Sequence, residues 1–325
     1  MTRPLDTSHT KILPLSVDAE LRRSFQLLEI LDRFAEETAL AHAARTYSDI
    51  AFVTAAIDQM HFRGRPDMTS DMVLLARVNY VGTRSLEVGI RIEQPGPKPL
   101  HYVSCYFTMV ANHELPPLDY EDELERRRRG RALVRKNAYR DDAVPTIEPP
   151  SPAEQSLLAE LHMAQEGAGF DGLLVCNLTN REYDRAETPP AASSPAKIVG
   201  GYVIHRAYVH ATMCAELVAP DRPVVVSINR VNFHQPVNVG DKLHFSSRVT
   251  YTGNTSICVE VDIVRESRDR RTAALCNTCT FTFKNVDDAL GARPVPNVYP
   301  TTYAEDVRYL AAHRRRLRRL AGSSL

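Results

Sequence analysis

The feature that most restricts how this chain can fold is that it repeats itself. Ile57-Asp58-Gln59-Met60-His61-Phe62 matches Ile228-Asn229-Arg230-Val231-Asn232-Phe233. The same offset sets Arg77-Val78 on Arg248-Val249, Tyr80 on Tyr251, Gly82 on Gly253 and Ser85 on Ser256. Alternating apolar residues follow the rule as well, Leu86, Val88, Ile90 and Ile92 falling on Ile257, Val259, Val261 and Ile263, and Phe107-Thr108-Met109 echoes Phe281-Thr282-Phe283. A self-similar chain is built from copies of one unit, so whatever the first half folds into the second must repeat.

Each copy reads as a helix followed by β-rich runs. In the first, Ser24 to Ala44 carries Leu27, Leu28, Leu31, Phe34 and Ala35 at three- and four-residue spacing, which predicts a helix. Asp32 sits at the margin of that apolar stripe, and strand-like runs follow at 51–62, 71–81, 84–93 and 101–111. In the second copy the helix is Lys197 to Leu217, apolar or small on nearly every face, and a helix of that kind is buried. Gly200-Gly201 in its first turn is poor for propagation and points to close backbone approach, either to a sheet or to a ligand. After Asp221-Arg222-Pro223 the period changes to two, predicting antiparallel strands in a curved sheet wrapped around that helix. The expected class is α+β, with two such units.

Composition excludes more than it identifies. With 40 Lys+Arg against 40 Asp+Glu in 325 residues there is no net charge, hence no global electrostatic case for nucleic acid or a membrane surface. No apolar run approaches the ~18 residues that would span a bilayer. The N-terminus reads as neither a secretory signal nor a mitochondrial presequence, giving a cytosolic expectation. Six scattered cysteines fit buried small hydrophobes better than a disulfide framework. Charge is concentrated in two places. Glu123 to Arg140 carries eight basic residues against two acidic, reading either as a solvated linker helix or as an attractor of an anionic ligand such as a nucleotide phosphate. The C-terminal stretch from Tyr303 reads as a short basic helix, solvated or partner-docking.

Several segments together resemble the two-hotdog acyl-coenzyme A thioesterases, in the branch related to the animal mitochondrial long-chain enzymes. They are LPLSVDAELRRSFQLLEILDRFA, TAAIDQMHF and LARVNYVGTRSLEVGIRIE in the first half. In the second they are IVGGYVIHRAYVHA, the run from PVVVSINRVNFHQPVNVGDKLHF to ICVEV, and TFTF. The likeness implies a tandem hotdog: an N-terminal unit at 12–115, a charged and Pro-rich linker at 116–160, a C-terminal unit at 161–310 and a basic tail at 311–325. It further implies that the two sheets pair into one longer sheet, with the helices together on one side.

Thioester hydrolysis needs a polarised carbonyl and an activated water. Backbone N–H groups at the first turn of a buried helix can hold the carbonyl oxygen as charge develops, and a carboxylate on a facing helix can act as general base or as nucleophile. The resemblance places the carboxylate on one unit and the glycine turn on the other, and Asp32, within L-L-x-x-L-D-x-x-A, matches the helix Asp. The family's Asn, four residues before the first glycine, is replaced by Ala196. Lys197, Ser193 and Ser194 are substitutes by proximity, or plain loop residues. The expected catalytic set is Asp32, Gly200, Gly201 and Lys197, with no metal and no cofactor beyond coenzyme A as part of the substrate.

Other constellations are weaker. Cys276-x-x-Cys279 in a strand pattern would put its thiols on opposite faces, and His205 and His210, five apart, do not share a helix face as metal ligands would. A lone His near the glycine turn can still serve as an acid or base. Asp58 is either catalytic or satisfies backbone groups at a strand end. Gly253-Asn254 reads as a hairpin turn, near which the resemblance would place the coenzyme A nucleotide. The expected activity is therefore hydrolysis of an acyl-CoA thioester by a homo-oligomer that engages neither nucleic acid nor a membrane span. The alternatives are a diverged hotdog enzyme, such as a dehydratase or a rearranging enzyme acting on an acyl or polyketide intermediate, and a non-catalytic acyl-CoA-binding module.

Overall fold

The structure is a computed structural model. It describes residues 2–18, 26–44, 46–141, 148–186, 198–269 and 271–322, and their side chains except those of 138–141 and 319–322. In the first half β1 (His9–Leu13) precedes α1 (Leu27–Ala43), then β2 (Phe52–Ile57), β3 (Met60–His61), β4 (Met72–Val81), β5 (Ser85–Gln94), β6 (Leu100–Ala111) and α2 (Glu123–Asp141). The second half adds α3 (Pro152–Gln165) and β7 (Leu173–Leu174), then repeats the plan. Its elements are β8 (Thr179–Arg185), α4 (Gly200–Glu216), β9 (Arg222–Ile228), β10 (Val231–Asn232), β11 (Lys242–Thr252), β12 (Ser256–Glu266), β13 (Ala273–Val286), β14 (Val298–Tyr299) and α5 (Tyr303–Gly322).

Two six-stranded antiparallel sheets result, ordered β1-β4-β5-β6-β2-β10 and β3-β9-β13-β12-β11-β8. α1 buries Leu27, Leu28, Leu31, Phe34, Ala35 and Ala39 against the first, and α4 buries Val203, Ile204, Ala207, Ala211 and Cys214 against the second. This is the tandem hotdog expected from sequence.

The duplication extends to the irregularities. A bulge between Val78 and Tyr80 is repeated between Val249 and Tyr251, and one between Thr54 and Ala56 is repeated between Val225 and Ser227, at the offset that relates the two halves. A bulge adds a residue and bends its strand, so shared bulges give both sheets the same curvature around their helix.

The run 51–62, read from sequence as one strand, is divided between the sheets. Ile57 pairs with Val231 in the first sheet and Met60 with Ile228 in the second, on one antiparallel register interrupted for two residues. Phe62 N donates to Val226 O and Phe233 N to Ala55 O on either side, so the sheets join edge to edge with a break at the centre. In the break Asp58 and Asn229 turn their N–H groups inward to Tyr106 O and Thr280 O. The Asp58 carboxylate accepts from Arg230 Nε and a terminal guanidinium nitrogen at 2.9 and 2.7 Å. Its side chain therefore joins the two halves by charge, a role sequence reasoning had divided between catalysis and backbone capping.

Both basic segments are docked rather than fully solvated. α2 packs on β4, and α5 packs on β11, the strand that repeats β4. Each begins with the same reciprocal cap. Glu125 N donates to Asp122 Oδ1 while Glu121 N and Asp122 N donate to Glu125 Oε2; Glu305 N donates to Thr302 Oγ1 while Thr301 N and Thr302 N donate to Glu305 Oε2. The linker helix and the C-terminal helix are thus copies of one element, set somewhat farther apart in sequence than the strands they cover. α5 crosses the boundary expected at 310/311.

Five of the six cysteines are buried, Cys176 being exposed, and all are free thiols. Cys276 and Cys279 both face inward, contrary to simple alternation, because β13 is irregular opposite Ile263 and Val264, with Asn277 and Leu275 as their respective partners.

Candidate active site

α4 begins without a cap of its own: Val199 at the N-cap has no side chain able to accept a hydrogen bond. The first four N–H groups of a helix need acceptors from elsewhere. Here the acceptor is a carboxylate from the other half of the chain. Gly201 N donates to Asp32 Oδ2 at 2.7 Å, and Thr54 Oγ1 on β2 donates to Asp32 Oδ1 at 2.6 Å. Asp32 is 2% exposed.

The glycines make this contact possible. A Cβ on Gly201 would lie 2.5 Å from Leu28 O and 2.7 Å from Asp32 Cβ, and one on Gly200 would lie 2.6 Å from Phe233 Cζ. The close approach anticipated for the pair is therefore to the facing helix and to an aromatic ring from the seam. Any larger residue would push α4 away from α1 and break the carboxylate contact.

Burial pushes the Asp32 carboxyl above its ordinary value, because the charged form loses water. Hydrogen bonds from Thr54 and Gly201, the Arg33 charge and the Gly200 N–H pull it back down. The helix terminus adds roughly half a positive charge at this point, favouring an anion there. The result is a carboxylate held in one orientation, poorly hydrated and more basic than a surface aspartate.

One turn further along α4, His205 Nδ1 lies 2.7 Å from Glu29 Oε1, and Glu29 is itself buried on α1. His210 instead lies against Phe245, tilted by 31° with ring centroids 4.6 Å apart. The two histidines do not converge, and among the described residues no group of three His, Cys, Asp or Glu side chains could hold a metal ion. Lys197, Ala196, Ser193 and Ser194 lie outside the described residues. The structure therefore brings together Asp32, Gly200 and Gly201 from the expected set. It adds Thr54, which sequence reasoning missed. Its repeat partner is Val225, so a hydroxyl in one copy facing a methyl in the other was the available signal.

Comparison with known proteins finds the thioesterase superfamily model matching twice, at residues 34–100 and 201–271, once in each half. Human "Acyl-coenzyme A thioesterase 9, mitochondrial" is 25% identical over 338 residues, covering 93% of this chain and 75% of its own. "Acyl-coenzyme A thioesterase 2, chloroplastic" from Humulus lupulus is 26% identical over 352 residues, covering 95% and 80%. Both names carry an organellar address, unlike the cytosolic expectation for this chain. Among solved structures, an acyl-CoA hydrolase from Staphylococcus aureus in complex with butyryl coenzyme A is 25% identical, covers 46% of this chain and 93% of its own, and has a TM-score of 0.41.

Proposed function

Because the chain belongs to the thioesterase superfamily, with one copy of the domain in each half, we propose that it hydrolyses an acyl-coenzyme A thioester to the free acid and coenzyme A. The observation that carries this reading is the 2.7 Å contact between the Asp32 carboxylate and Gly201 N, made across the two halves.

In the proposed reaction Asp32 is the general base. Its carboxylate takes a proton from water as the water oxygen attacks the thioester carbonyl. In the resting arrangement Gly201 N–H is already engaged by Asp32, too close for a thioester and a water to lie between them. The glycine turn therefore serves in sequence: it holds the carboxylate first, and as proton transfer neutralises Asp32 the same N–H turns to the oxygen that now carries the charge. Thr54 keeps the carboxylate aimed throughout. Collapse of the tetrahedral intermediate expels the thiolate, which takes up the proton held by Asp32 and so restores the carboxylate. A raised carboxyl suits this role, since a base works best when its pKa approaches the working pH.

The test is thiol release over a series of acyl-CoA chain lengths, run beside Asp32→Asn. Turnover that falls ~10²–10⁴-fold in the variant supports the base assignment. A second reading, an acyl-CoA-binding module, is favoured by Ala196 at the position of the family's Asn. Tight binding of acyl-CoA with no thiol release from the wild type would establish that reading instead. Consumption of thioester without free thiol would point to the diverged enzyme.

A further inference from the structure

The two capped helices roof cavities on the outer faces of their sheets, about 580 Å³ under α2 and about 1260 Å³ under α5. The smaller one is separated from Asp32 by a sheet. Arg77 of β4 faces this cavity, while Val78, next along the strand, points the other way into the core that α1 covers. Leu5, Leu75 and Tyr106 give the cavity apolar walls, and its charges come from β4, β5 and α2.

Comparing the copies shows what the first has lost. In the second half Arg248 of β11 and Arg308 of α5 share one acid. Arg248 Nη1 donates to Glu260 Oε1 at 3.2 Å and Arg308 Nε to the same oxygen at 3.0 Å, and Arg248 Nη1 also reaches Asp262 Oδ2 at 2.7 Å. Both arginines recur in the first half: Arg77 repeats Arg248 at the strand offset, and Arg128 repeats Arg308 counting from the shared caps. The acids do not recur. The cross-strand partner of Arg77 is Gly89, where Arg248 has Glu260, and the place of Asp262 is taken by Arg91.

Arg77 and Arg128 line the cavity half-buried, and neither makes an ion pair or hydrogen bond among the described residues. The acids nearby are engaged elsewhere. Glu93, the one carboxylate among the described residues lining the cavity, pairs with Arg91, and Glu87 accepts from Arg135 at 2.8 and 2.6 Å. Asp122 and Glu125 are held by Arg3 and by the backbone N–H groups of the α2 cap. Burial and the Arg128 charge push Arg77 below the ordinary guanidinium value, and Glu125 and Asp122 oppose them only in part.

We infer that the cavity beneath α2 is a binding site for a small dicarboxylic acid, one of whose carboxylates bridges Arg77 and Arg128 as Glu260 bridges their counterparts. Two like charges facing one concave, partly dry space concentrate positive potential there, and a guanidinium fork matches carboxylate oxygens. Carboxylate is also what the same two arginines hold in the other copy. The exchange of Asp262 for Arg91 adds a cation at the second acid's position, so a ligand with a second carboxylate gains there, although Arg91 is shared with Glu93. Leu5, Leu75 and Tyr106 offer apolar surface to the carbon chain between the two acid groups.

The test is calorimetric titration of the full chain with succinate, glutarate and adipate, and with butyrate and pyrophosphate for comparison, in wild type, Arg77→Gln and Arg128→Gln. Arg127→Gln, exposed on α2 and outside the cavity, is the control. At least one diacid is expected to bind, more tightly than butyrate and more weakly as salt rises. Its affinity should fall about tenfold or more in each cavity variant and stay unchanged in the control. Removing one of two unneutralised like charges relieves repulsion, so without ligand neither cavity variant should melt below wild type; lower melting temperatures in both would mark the pair as structural and overturn the assignment. Failure of every diacid to bind the wild type, binding of pyrophosphate alone, or diacid affinity unaltered in both cavity variants also overturns it. Because binding is read directly, the result is independent of the proposed hydrolysis: Asp32→Asn should abolish turnover and leave diacid affinity intact.

Discussion

At the scale of single residues, Asp32 is a charged group whose position costs the protein stability. Its carboxyl is raised in the folded state, so its contribution to stability is fully present below the unfolded value near 3.8 and is lost as pH rises through the raised one. In its ionised form the carboxyl is a buried charge that an amide would not impose. Asp32→Asn should melt at the same temperature as wild type or higher at pH 7–8, while losing turnover; thermal denaturation beside the thiol assay checks both. Thr54→Val removes a hydrogen bond that stabilises the ionised carboxylate, so the acidic limb of the kcat/KM profile should move to higher pH and the rate at neutral pH should fall roughly tenfold. An unmoved limb would assign the profile to another group. Asp32 was legible in the sequence because helical period placed it beside the apolar stripe. Thr54 was not, because strand alternation tells which face a residue occupies but not which helix it will meet.

At the scale of elements, two contacts decide how the helices lie. The α1–α4 approach depends on a missing side chain: Gly201→Ala would drive a methyl group to within 2.5 Å of the Leu28 carbonyl oxygen, and backbone there cannot give way cheaply. A loss of ~2–4 kcal/mol is expected by analogy with overpacked cores, visible as a lower denaturant midpoint and accompanied by loss of activity. α5 is tied down by Arg314, which donates to both Glu154 oxygens at 2.6 and 2.8 Å, while Glu154 also caps α3. These bonds hold the Glu154 carboxyl at about 2. Its share of stability is present above the unfolded value near 4.5 and lost as pH falls through about 2, so Glu154→Gln should lower the melting temperature at pH 6 and make little difference below pH 2. The helices and the paired strands were readable from period. The division of 51–62 between two sheets was not, since an interruption at Asp58-Gln59 alters backbone partners without altering the apolar pattern. The kinship of α2 and α5 escaped a fixed-offset comparison because insertions between the strands and the second helix lengthen the spacing, although D-x-x-E and T-x-x-E stand in plain sight at Asp122 and Thr302.

For the molecule as a whole, one continuous apolar core spans both halves, from Leu31 and Phe107 to Phe245 and Phe281. Neither half contains the whole of the proposed centre, since Asp32 and Thr54 come from one and Gly201 from the other. The chain should unfold in a single calorimetric transition. Residues 1–150 and 151–325 produced separately should each be inactive, with turnover recovered only when the two are mixed and associate. Recovery by one half alone would mean that the chemistry lies elsewhere. Duplication, fold class and the partnership of the halves were all present in the sequence. The two outer cavities were not, because they depend on where the roofing helices come to rest.

The shared caps of α2 and α5 bear on the molecule's ancestry. If each unit once ended in that helix, the first copy kept its closing helix when the two were joined, and α3 and β7, which have no counterpart among the described residues of the first half, are what the join added. The order of the two units would then be an accident of fusion, and a circular permutant opened between them should reach the same architecture.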